Sequence, residues 1–134
     1  MRQTHKVLLI ALVILCSFTV VPERIEWQPS KTLSWDDFKG QPNGRGSFVA
    51  STSSGMSQSY VIAGNGILNK KETHVKAHFY PEYSWYRAKD TTALLLKHEQ
   101  THFDITEIHA RILNGRIQSY AFTSNSQEEV KGLY

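Results

Sequence analysis

The chain has 134 residues, enough for one domain with a modest core. Its composition, 40% hydrophobic and 20% charged, is ordinary for a globular protein. The formal charge of +3 falls to about +1 once Arg2 and Lys6 at the extreme N-terminus are set aside, and no Arg/Lys cluster is interleaved with aromatics, which argues against a nucleic-acid partner.

Arg2, His5 and Lys6 precede the apolar run of residues 7–21. A basic start followed by an apolar stretch of this length predicts a secretory signal peptide, or an uncleaved signal anchor, over residues 1–21. The run is short for a full membrane span, which takes about 20 apolar residues. Either reading places the rest of the chain outside the cytoplasm, periplasmic or secreted, and leaves membrane anchoring through this segment open. The sole cysteine, Cys16, lies inside the run, so the remainder has neither a disulfide nor a thiolate ligand.

Residues 22–32 are polar and Pro-punctuated and read as a linker, with the folded domain over 33–134. Residues 33–38 form a short amphipathic segment, and residues 39–46 a loop rich in turn residues. Residues 48–56 and 57–63 read as extended strands closed by Gly64-Asn65-Gly66, a hairpin-like turn. Lys70-Lys71-Glu72 reads as a polar turn. Residues 73–80 form the clearest strand, because Val75, Ala77 and Phe79 alternate with His74, Lys76, His78 and Tyr80 until Pro81 ends the ladder. Such a strand, placed at a sheet edge, could hold a substrate backbone. Asp90-Thr91-Thr92 is an N-cap cluster. It opens a helix over about 91–114, with Asn114-Gly115 as a candidate C-cap, although Ile117 and Tyr120 could extend the helix. Its first turns are apolar almost all round, which predicts a buried helix.

That helix carries His98-Glu99-Gln100-Thr101-His102, an H-E-x-x-H motif. Residues four apart share a helical face with about 6 Å of rise between them, so two imidazoles can reach one Zn²⁺. Taking His98 as 0° on the wheel, His102 lies at about 40° and Glu99 at about 100°, beside the metal-facing stripe. Glu99 is therefore the candidate general base for a water that the ion activates.

A catalytic zinc commonly has a third protein ligand, and the sequence leaves it open. His109 lies on the correct face at about 20° but about 10 Å further along the axis. The H-E-x-x-H-x-x-G-x-x-H pattern of metzincins is excluded, because Ile105 and Ile108 stand at its Gly and last His positions. Glu107, at about 180°, points away from the ion and suits a supporting hydrogen bond or salt bridge, and Asp104, at about 240°, is also badly placed as a ligand. His74 and His78 share a strand face about 13 Å apart, so at most one could join. Glu128 and Glu129 follow His102 by 26 and 27 residues, a distance that a gluzincin-type ligand could span, but they sit in a polar tail.

The run Leu94-Leu-Leu-Lys-His-Glu-Gln-Thr-His-Phe-Asp-Ile-Thr-Glu-Ile-His-Ala-Arg111 resembles the H-E-Q-x-H-F-D-I-x-E block of the DUF922 family. Leu33-Ser-Trp-Asp-Asp-Phe-Lys-Gly40, Ala50-Ser-Thr-Ser-Ser-Gly55 and Ser84-Trp85 fit that family's pattern in the same order. The resemblance covers about residues 31–113. It implies a bacterial secreted zincin-like metallopeptidase, with His98 and His102 as zinc ligands and Glu99 as catalytic base. The expected fold is therefore α+β and zincin-like, a small, mainly antiparallel sheet packed on a buried active-site helix. The expected activity is zinc-dependent hydrolysis of a peptide or protein substrate. The alternative is a non-catalytic envelope-associated binding protein that keeps the fold with an incomplete metal site.

Overall fold

The structure, a computed structural model, describes residues 21–42 and 47–134. The signal or anchor segment expected over 1–21 therefore lies outside the described residues, apart from Val21. No helix among the described residues is long and apolar enough to cross a membrane.

Among the described residues the architecture is α+β, with a small antiparallel sheet and two α-helices. Strand β1 (Ile25–Glu26), β3 (Ser54–Ile62) and β4 (Leu68–Phe79) form a three-stranded antiparallel sheet in the order β1-β4-β3. Two further short strands, β2 (Ala50–Ser51) and β5 (Trp85–Tyr86), pair antiparallel by themselves. Helix α1 (Ala93–Ser119) lies across β4 and β3, and a short helix α2 (Ser126–Gly132) closes the chain.

The β3–β4 hairpin carries the core. Its register sets Met56 opposite Ala77 and Gln58 opposite Val75, so Val75, Ala77 and Phe79 share the face toward α1. The turn needs Gly66, whose φ is +81°, and an added Cβ would sit 2.6 Å from the Ser124 carbonyl oxygen. The strand begins earlier than the alternation suggests. Lys70-Lys71-Glu72, expected to turn, lies inside β4, held by pairing of Leu68 with Ile62 and by burial of Leu68. A shift of register between Ser59 and Val61 accommodates the extension.

Three sequence expectations change here. Residues 22–32 are not only a linker, because β1 pairs Ile25 with Phe79 and Glu26 with His78, and the Trp27 amide donates to the Ala77 carbonyl at 3.0 Å. Consequently the 73–80 strand is not an edge, since β1 and β3 flank its C-terminal end. The helix is not buried all round either, for Leu94 is 78% exposed and Ile105, Ile108 and Ile112 face solvent. One stripe is buried, Glu99, Phe103, Ala110, Leu113 and Ile117, at the spacing of a single helical face.

The N-terminus of α1 is set by Thr92, whose hydroxyl accepts from the Leu95 amide at 3.0 Å. The helix passes through the candidate cap Asn114-Gly115 to Ser119, the extension that Ile117 allowed. Leu113 and Ile117 pack with Leu68 and with Val130 of α2, and this burial outweighs the roughly 1 kcal/mol cost of a helical glycine. A second core joins Leu33, Phe38, Ala77, Phe79, Phe103 and Ala110. Phe38 meets Phe79 at a ring-centroid distance of 5.0 Å, and Phe79 meets Phe103 at 5.8 Å. Buried Ser84 ties the connector after β4 to the sheet, accepting from the Ser53 amide at 2.9 Å and donating to the Tyr80 carbonyl at 2.8 Å.

Candidate metal centre

Helix geometry places His98 and His102 on the solvent side of α1, one turn apart, and their rings meet edge to face with centroids 4.7 Å apart. The two Nε2 atoms are 3.1 Å from one another. Two nitrogens on one tetrahedral zinc, at Zn–N of about 2.0–2.1 Å, stand about 3.3 Å apart. The pair is thus close to an edge of a zinc tetrahedron. Without a metal, one Nε2–H must donate to the other ring's lone pair, and an ion would replace that proton.

Both histidines line a cleft of about 420 Å³ bounded by residues 47–52, Leu95 and Glu99. Glu99 is only 4% exposed, yet it contributes to the cleft wall. Its carboxylate Oε2 accepts a hydrogen bond from the Thr52 hydroxyl at 2.7 Å, which fixes the side chain beside the histidines. The same hydroxyl lies 3.2 Å from the Glu99 carbonyl oxygen. Thr52 therefore ties the segment after β2 to the motif helix. Spacing alone gives Thr52 no role.

The remaining candidates are dispersed. Among the described residues, no group of three or more His, Cys, Asp or Glu is arranged to hold a metal ion. His109 lines a different hollow with Met56, Leu133 and Tyr134. His74 is exposed on β4, and His78 is buried against Ser57 on the sheet face opposite α1. Glu128 pairs with Lys131 at 2.7 Å, and Glu129 accepts from the Thr123 amide at 2.9 Å. Both belong to the α2 end of the fold, where α1 presents Leu113 and Ile117 rather than His98.

The other polar residues of the motif block act as clamps. Asp104 Oδ1 accepts from the Trp27 indole at 2.9 Å and from Gln100 Nε2 at 2.8 Å. Gln100 Oε1 accepts from the Leu33 amide at 2.7 Å. Glu107 pairs with Arg111 at 2.8 Å, and the Arg111 guanidinium lies 5.1 Å from the centre of the Trp27 ring. These contacts hold residues 27–33 against α1 and so keep the motif helix seated. Asp104→Ala removes an acceptor from two part-buried donors, so it should lower stability by about 1–3 kcal/mol, read as a shift in the urea midpoint.

Comparison of the chain with family models, with curated proteins and with solved structures finds no match in any of the three.

Proposed function

We propose that this chain is a zinc-dependent peptidase of zincin type that works outside the cytoplasm, as the DUF922 resemblance implies. The observation that carries the reading is the 3.1 Å convergence of the His98 and His102 Nε2 atoms in an open cleft whose wall includes Glu99. His98 and His102 would hold the ion. When bound, zinc supplies Lewis acidity, polarising the scissile carbonyl and acidifying water.

Glu99 accepts the proton of the attacking water and returns it to the leaving amine. Its hydrogen bond from Thr52 limits its rotation, so the carboxylate waits in position. Its burial keeps it out of bulk solvent. The substrate strand would lie along β2, which among the described strands pairs only with β5, and which lines the cleft. Main-chain pairing at that edge would present a peptide carbonyl to the histidines without demanding a particular side chain. This replaces the 73–80 strand in the role of substrate edge.

The N-terminal basic and apolar pattern supports export, with cleavage or anchoring of residues 1–21 as the two forms it would take. Unfolded casein is a suitable first substrate, because its extended chain can enter an open cleft. Cleavage should stop on treatment with a zinc chelator and return when zinc is restored. Cleavage unaffected by chelation would refute a metal-dependent mechanism. A folded chain that binds zinc but cleaves nothing would favour the non-catalytic envelope protein.

A further inference from the structure

The sheet has a second face, and α1 does not cover it. There Arg24, Glu26, Ser57, Gln58, Ser59, Lys76 and His78 line a hollow of about 430 Å³. The strand register explains the grouping: Glu26 stands opposite His78, and Ser57 opposite Lys76, so these four side chains leave the sheet on one side.

The hollow borders a buried histidine. His78 is 3% exposed, which is unusual for a histidine on the uncovered side of a sheet. Its Nε2 lies 2.6 Å from the Ser57 hydroxyl, while its Nδ1 is buried and has no hydrogen-bond partner among the described residues. A buried polar atom left unpaired costs about 1–3 kcal/mol, so its retention calls for an explanation. Lys76 and Glu26 neutralise one another at 2.9 Å, which leaves Arg24 as the net charge of the lining. Burial, and after it the charge of Arg24, hold the His78 imidazole below its ordinary range. An anion beside Arg24 would relieve that repulsion.

We propose that this hollow binds an oxyanion group, a phosphate or a carboxylate, through Arg24 with Ser57, Ser59 and Lys76 as further donors. The guanidinium offers a planar pair of N–H groups that matches either anion, and the serine hydroxyls supply short neutral donors beside it. Glu26, drawn to Lys76, opposes entry only weakly. The site lies on the opposite side of the sheet from the His98–His102 cleft, and its test is independent of zinc and of peptide cleavage.

The experiment is an NMR titration of the full chain with sodium phosphate and, separately, sodium acetate, at constant ionic strength set with chloride. The signals to follow are the His78 imidazole and the Ser57 and Ser59 amides. The expected result is a saturable shift confined to these groups. Arg24→Gln should weaken binding by about tenfold or more, whereas Arg116→Gln, which removes the same charge from α1, should leave it unchanged. Tighter binding of phosphate would identify a phosphate-type ligand, and tighter binding of acetate a carboxylate. Absence of a localised shift with either anion would overturn the proposal. So would equal weakening by the Arg24 and Arg116 variants, because that would be charge attraction without a site.

Discussion

Glu99→Gln should leave the protein folded and able to hold zinc while lowering casein cleavage by about 10²–10⁴-fold. The replacement has the same shape, and the Thr52 hydroxyl that now donates to Oε2 at 2.7 Å can donate to an amide oxygen in the same place. What disappears is a group that accepts a proton. A loss of this size corresponds to about 3–5 kcal/mol of barrier, far more than the rearrangement of one hydrogen bond explains. His98 and His102 are unchanged, so metal content separates the loss of a base from the loss of the ion. Equal turnover by the two proteins would remove Glu99 from the mechanism.

Phe103→Ala should be the most damaging single truncation for stability, at about 3–5 kcal/mol. Phe103 is the bulkiest buried residue that the motif helix sends into the core, 5.8 Å from Phe79 between ring centres and in the same cluster as Leu33, Phe38 and Ala77. Removing the ring leaves a cavity between α1 and β4 that neither a helix nor a paired strand can close by small movements. Against a total of about 5–15 kcal/mol for a domain, that is a large fraction. Urea unfolding should show a lower midpoint with an unchanged slope. A midpoint close to that of the unaltered protein would mean that α1 is held chiefly by its polar clamps at Trp27 and Leu33.

These two residues also show what the sequence could and could not convey. The motif helix was legible because its signals are local: a Thr92 cap, a spacing of four between the histidines, and apolar residues at helical intervals. The alternation of Val75, Ala77 and Phe79 likewise carried the orientation of β4. Strands β1 and β5 left no comparable trace. Each has two residues, too few for a period to show, and each exists because of a partner distant in sequence. The apolar start of α1 misled for a related reason. Periodicity reports which residues can be buried, but Leu94 lies where the fold places no neighbour to cover it. Within the cleft, the histidine pair was visible in the spacing, whereas the Thr52–Glu99 bond joins positions 47 residues apart. Asp104 reads only as badly placed for the metal, because its partner Trp27 lies in what reads as a linker.

Zinc binding by the full chain tests the central claim most directly. After equilibrium dialysis against zinc, metal analysis should find about one ion per chain in the unaltered protein and a loss of that ion in the His98→Ala, His102→Ala double variant. Both proteins should remain folded by circular dichroism, since both side chains lie on the solvent side of α1. A folded unaltered protein that retains no zinc, or a double variant that retains as much, would contradict the assignment of His98 and His102 as a metal centre.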